Sequence, residues 1–137
     1  MTEQLQIEKS TAMAREWFTG HVATDNNFGV DALGSEVRVI NWRRPDTGSY
    51  SIKFILVGRY VIATGDLGEA VYGFGCAVSS EFLLKCDWHY FINKCVASET
   101  GRHYTMKVPG INRPVPNVRA LAHFIGLQMS LKQLQPH

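Results

Sequence analysis

Residues 37–74 read VRVINWRRPDTGSYSIKFILVGRYVIATGDLGEAVYGF, and three turn signals cut this run into four pieces of strand length. Pro45-Asp46-Thr47-Gly48 supplies the first turn, with Pro45 pre-setting φ and Gly48 freeing the exit. Tyr50, Ile52, Phe54 and Leu56 then alternate with Ser51, Lys53, Ile55 and Val57. One face of that stretch is wholly apolar and the other partly polar, the period-two pattern of a strand with one buried face. Gly58-Arg59 is the second turn, and Gly65-Asp66-Leu67-Gly68 is the third, a tight turn in which glycine supplies positive φ and Asp66 bonds the turn backbone. Strands are thus predicted over 37–42, 50–57, 60–64 and 70–74. Turns recurring about every ten residues make an antiparallel meander the simplest topology.

Outward from the sheet, helical periodicity takes over. Met13, Ala14, Trp17 and Phe18 share one face of a helix predicted over 8–19, with Gly20 as its stop. The stretch GHVATDNNFGVDALGS, 20–35, is rich in residues that favour turns and reads as a loop. Ser79 caps a short helix through Leu84, and Asp87 caps a second. In that second helix Trp88, Phe91, Ile92 and Cys95 fall at i, i+3, i+4, i+7, and Gly101 ends it or follows closely. Arg102–Val108 is a candidate short strand, followed by the loop PGINRPVP. Pro114 and Pro116 bar a helix before Asn117. A long final helix then runs toward Gln133 with Ala120, Phe124, Leu127, Leu131 and Leu134 in one stripe, widened by Leu121 and Ile125. So wide a face belongs against the sheet or against a partner, a second copy in a homodimer included. The expected fold is α+β: one domain over 1–137, an antiparallel meander of about four strands packed against N-terminal, middle and C-terminal helices.

At 137 residues the chain can bury one sizeable core, and 45% hydrophobic with 19% charged residues is globular composition. A net charge of +2 falls short of the strongly basic balance of most nucleic-acid-binding domains. The N-terminal stretch lacks the basic start and apolar run of a secretory signal, and no segment has the length of an apolar membrane span. Three cysteines, an odd number without an export signal, fit a reducing compartment. A cytoplasmic protein with no membrane association is expected.

Trp42-Arg43-Arg44-Pro45 before Thr47-Gly48-Ser49-Tyr50, then Gly65-Asp66-Leu67-Gly68-Glu69-Ala70-Val71-Tyr72, then Tyr90-Phe91-Ile92-Asn93-Lys94-Cys95 form an ordered set spanning Trp42 to Ser98. This set resembles a family of small uncharacterised proteins encoded by bacteriophages and mobile elements. The resemblance implies a genomic setting of anti-defence proteins, CRISPR inhibitors among them, and so a host protein complex as partner, blocked by steric occupation. It supplies no catalytic residue and no cofactor.

Chemistry-bearing clusters are few. The Gly65–Gly68 turn lacks the Gly-Lys-Ser/Thr continuation of a phosphate cradle and a helix to follow it. Cys86 and His89, with Cys95 and His103, are the best candidate zinc set, but Cys95 already fits the buried stripe and the second pair has no standard ligand spacing. Cys86, Asp87 and His89 adjoin in sequence, yet residues two apart on a helix do not face each other, and an N-cap role for Asp87 is simpler. The chain is therefore expected to be no enzyme and to hold neither metal nor cofactor. Binding is assigned to Trp42, Arg43, Arg44, Lys53, Arg59 and Tyr60, on or beside the sheet with Arg38. Arginine and aromatic side chains on a sheet suit a protein interface, or a nucleic-acid-binding accessory domain as the alternative.

Overall fold

The computed structural model describes residues 2–99, 105–106, 108–111 and 115–136. Its elements follow in the order α1 (Glu3–Trp17), β1 (Val22–Val30), β2 (Glu36–Arg43), β3 (Ile52–Val57), β4 (Tyr60–Gly65), β5 (Ala70–Gly73), α2 (Ser80–Lys85), α3 (Trp88–Asn93), β6 (Cys95–Ser98), β7 (Thr105–Met106), β8 (Val115–Pro116) and α4 (Val118–Leu134). Strands β1 to β6 form one antiparallel sheet in sequence order, a pure meander. Strands β7 and β8 pair separately. No helix among the described residues is long and apolar enough to cross a membrane.

The α+β class and the meander stand as expected, with six strands rather than about four. Both additions lie at the edges. Strand β1 occupies the stretch read as a loop, where mostly exposed polar residues are held extended chiefly by the ladder to β2. Strand β6 takes Cys95, read as the last buried position of a helix. The helix stops at its C-cap Lys94, and Cys95, Ala97 and Ser98 pair with β5, with Val96 bulged out between them. Tyr50, read as a strand residue, instead has φ of +55°, held where its ring stacks on Trp17 and its carbonyl accepts from His21 Nε2. Residues 102–104 and 107 of the candidate short strand lie outside the described residues.

Local chemistry explains the helix boundaries. Thr2, Ser79, Asp87 and Asn117 each cap a helix by accepting from a backbone N–H in the first turn. Gly65 and Gly68 both take positive φ at the third turn. Asp66 reaches back to Ser51 rather than to its own turn, accepting from the Ser51 backbone N–H at 3.1 Å and its hydroxyl at 3.3 Å.

All four helices cover one face of the sheet. Ile40, Trp42, Ile52, Phe54, Leu56, Val61, Ala63 and Tyr72 point into that layer and are buried. Helix α4 fits closest at Gly126, where an added Cβ would lie 3.2 Å from the Trp42 ring, 3.3 Å from Ile52 and 3.3 Å from Phe18. The wide apolar stripe of α4 is spent inside the chain, because α1 and α3 pack on it as well as the sheet. Phe91 meets Tyr72 with ring centroids 4.3 Å apart and Phe124 at 5.6 Å, closing the core under α3.

One polar chain runs through this core. His123 is fully buried; its Nε2 lies 3.2 Å from the Gly68 carbonyl and its Nδ1 2.8 Å from the Tyr72 hydroxyl. A carbonyl only accepts, so Nε2 carries the proton and Nδ1 accepts from Tyr72. Burial pushes the imidazole down to about 4, against the opposing pull of the Gly68 and Leu67 carbonyls.

Two outcomes are expected. Gly65→Ala places a Cβ 2.3 Å from the Ser51 carbonyl oxygen at a φ of +140°, so thermal or denaturant melts should show a loss of about 2 kcal/mol or more. His123 binds its proton more weakly when folded, so its stabilisation is present above the unfolded value near 6.5 and is lost as pH falls toward about 4. By pH 4.5 roughly 2 to 3 kcal/mol should be gone relative to pH 7, and His123→Gln should flatten that part of the profile. Matching slopes for the two proteins over this window would remove the assignment.

Candidate functional site

The structure scatters the six expected binding residues. Trp42 is wholly buried, because even-numbered β2 positions point under α4; its ring is closed to any partner and it leaves the binding set. Its Nε1 and the adjacent His21 Nδ1 have no hydrogen-bond partner among the described residues, with ring centroids 5.2 Å apart. Burial lowers the His21 pKa, against the raising effect of the Tyr50 carbonyl. Arg44 folds over Gly20 and lies 3.5 Å from the Asp46 carboxylate. Arg38 is also withdrawn: its Nε and Nη2 donate to Asp25 Oδ2 at 2.8 and 2.5 Å, and Nη1 donates to the Ser80 hydroxyl at 2.5 Å. Glu36 completes this knot by accepting from the Ser80 backbone N–H. It ties β1, β2 and the start of α2 together. Arg38→Met should leave Asp25 half-buried without its partner and cost on the order of 2 to 3 kcal/mol by chemical denaturation; a melt unchanged from the parent would show the knot to be dispensable.

The other four share the outer face of the sheet, at opposite ends of it. Arg43 and Lys53 line a groove of about 320 Å³ with Asn41, Ser51 and Thr64. Tyr60 pairs with Val57 at the far end of β3. The Arg59 guanidinium lies 5.3 Å from the Tyr60 ring centre, and its Nε donates to the Tyr60 hydroxyl at 3.2 Å. Between these ends the outer face is aliphatic: Val39, Ile55, Ile62, Val71 and Ala97 stand directly opposite one another across β2 to β6.

Sequence reading missed the most exposed apolar group. Phe28, Val30 and Leu33 are 69%, 65% and 85% exposed at the tip of the β1–β2 hairpin. The tip is built, not slack. Asp31 Oδ1 accepts from the backbone N–H of Leu33 at 2.9 Å and of Ser35 at 3.0 Å, and the Asp31 N–H donates to the Ser35 carbonyl at 2.9 Å. Ser35 is buried and donates its hydroxyl to the Gly58 carbonyl at 2.7 Å, fixing the hairpin base to the β3–β4 turn. Beside it lies a cleft of about 410 Å³ lined by Leu33, Ser35, Gly58, Arg59, Tyr60, Gly75, Cys76 and Ala77. The signal available in sequence was the run FGVDAL itself: three large apolar residues interrupted by turn formers, which a buried loop would not need.

Cys86, His89 and Cys95, the described members of the candidate zinc set, form no three-residue ligand group. Cys95 is buried in β6 and Cys86 donates its thiol to the Phe82 carbonyl, while His103 lies outside the described residues. No three His, Cys, Asp or Glu residues are grouped as metal ligands among the described residues. Burial raises the thiol pKa of both Cys86 and Cys95, which disfavours the reactive thiolate. Comparison of the chain with protein-family models, curated proteins and solved structures finds no match.

Proposed function

We propose that this chain is a protein-binding domain that docks by its β1–β2 hairpin tip and the adjoining Arg59–Tyr60 cleft. The observation that carries this reading is the pre-built tip: three large apolar side chains held in water by a fixed hydrogen-bond frame. Holding such a group rigid lowers the ordering cost of docking, and exposed apolar clusters on a folded domain mark interaction sites. Arg59 and Tyr60 add the residue types that most often dominate interface energy. Following the family likeness of Trp42 to Ser98, the partner is a host defence complex in the host-cell cytoplasm, blocked by occupation of its surface.

The alternative, a nucleic-acid-binding accessory domain, draws on Arg43 and Lys53 sharing a groove. Against it, the outer face is aliphatic at its centre and carries Glu69 and Glu99 at its β5–β6 side, near a second cleft. A sheet that reads nucleobases needs stacking platforms there and an uninterrupted basic track.

Affinity capture from a CRISPR-bearing host with parent and Leu33→Asp baits separates the readings. The parent should retain one defence complex in stoichiometric ratio, and Leu33→Asp should weaken it by about 2 kcal/mol or more at unchanged melting temperature. Equal recovery by both baits, or nothing above background, removes the proposal. Binding to DNA or RNA that falls steeply with salt and is lost in Arg43→Glu would favour the alternative.

A further inference from the structure

The outer face of the sheet is uncovered among the described residues, and its side chains are ordered by charge as well as by hydropathy. Its central row runs Val39, Ile55, Ile62, Val71 and Ala97 across five strands. One residue pair further along the strands lies a polar row: Asn41 opposite Lys53, Lys53 opposite Thr64, then Glu69, bonded to the Thr64 hydroxyl at 3.2 Å. Glu99 extends that row, donating its backbone N–H to the Glu69 carbonyl at 3.1 Å. Arg43 stands beside the cationic end on β2. Cations therefore occupy the β2–β3 half of the face and carboxylates the β5–β6 half. Arg43, Lys53, Glu69 and Glu99 make no ion pair among the described residues.

We propose that a second copy of this chain covers this face, sheet against sheet, about a two-fold axis running along the strands between β3 and β4. Such an axis exchanges β3 with the second copy's β4 and β2 with its β5, and leaves position along the strands unchanged. The aliphatic row of each copy then meets the aliphatic row of the other. Lys53 of each then lies over Thr64 of the other, with the other copy's Glu69 one strand to one side and its Lys53 one strand to the other. Arg43 on β2 lies over the carboxylate side, within side-chain reach of Glu69. A closed two-fold contact must be self-complementary, and a face basic on one side of the axis and acidic on the other meets that condition. Six strands about 4.8 Å apart and three side-chain rows about 7 Å apart, the third being the Val57, Tyr60 and Gly73 row on the other side of the aliphatic one, cover roughly 550 Å² per copy, about 1,100 Å² in all. That clears the roughly 1,000 Å² expected of a specific contact, at its weaker end. The hairpin tip lies beyond the aliphatic and polar rows, so Leu33→Asp tests the hairpin reading without altering them, while Tyr60, one pair beyond the aliphatic row, borders both surfaces.

Sedimentation equilibrium on the purified chain and its charge-reversed variants provides the test. The parent should approach twice 15.4 kDa at about 100 µM, well above micromolar dissociation constants. Lys53→Glu and Glu69→Lys should each weaken the dimer at least about tenfold by setting like charges together. Mixing these two variants should restore a dimer, because both inter-copy pairs are then of opposite sign. Leu33→Asp should dimerise as the parent does, which separates this result from failure of the hairpin reading. Near-ultraviolet circular dichroism checks that each variant is folded, and Ile55→Asp provides a second disruption on the aliphatic row. A monomeric parent at this concentration, folded charge variants that dimerise like the parent, or a mixture no tighter than its components would each overturn the proposal.

Discussion

The approach of α4 to the sheet at Gly126 is the contact on which the other packing depends. With no side chain there, the helix backbone comes down onto Trp42, Ile52 and Phe18, and the longer flanking residues reach the strands on either side. A glycine inside a helix costs about 1 kcal/mol against alanine, a small debit beside the burial of a tryptophan, an isoleucine and a phenylalanine. The close seat also brings polar α4 side chains to backbone groups that would otherwise lack partners. Gln133 donates to the His21 carbonyl at 3.0 Å and accepts from the Ala23 N–H at 2.9 Å, holding the start of the edge strand β1. Gln128 donates to the Leu83 and Cys86 carbonyls at the end of α2. One helix thus orders the edge strand, a short helix and the core together.

Because every helix goes to one side, the sheet is two-faced. The inner face is completed by α1, α3 and α4, and the buried Tyr72–His123 pair lies on that side. The outer face keeps its aliphatic row, Val39, Ile55, Ile62, Val71 and Ala97, only partly covered. Arg38 shows the contrast between the faces. Its position on the inner side of β2 forces its charge into a closed knot with Asp25, Glu36 and Ser80, whereas Arg43 and Lys53 on the outer side stay unpaired among the described residues.

The central strands were legible because their alternation matched their burial: Ile52, Phe54 and Leu56 face the core as the period-two pattern requires. The caps Ser79, Asp87 and Asn117 were equally legible, since a capping side chain bonds within three residues of itself. What sequence concealed was non-local. Strand β1 is extended because β2 lies alongside it, and Cys95 leaves helical geometry because β5 offers it an edge. Trp42 shows the same limit in the site: its flanking arginines suggested a surface, while its parity on β2 places it in the core. The outer row had left a trace, since Ile55 and Val57 break the polar half of the alternation on β3.

The hairpin tip and the open face are coupled by geometry rather than by contact. A two-fold axis parallel to the strands preserves height along them, so both copies in such a pair would carry the Leu33 tip at the same end. The tips would sit roughly 20 Å apart, from the strand and sheet spacings, and point the same way. Two rigid apolar tips at fixed separation engage a repeating or symmetric partner with an effective concentration that a single tip lacks. On these two proposals, a modest interface between copies and a three-residue tip on each would combine into an avidity that one copy with one tip lacks.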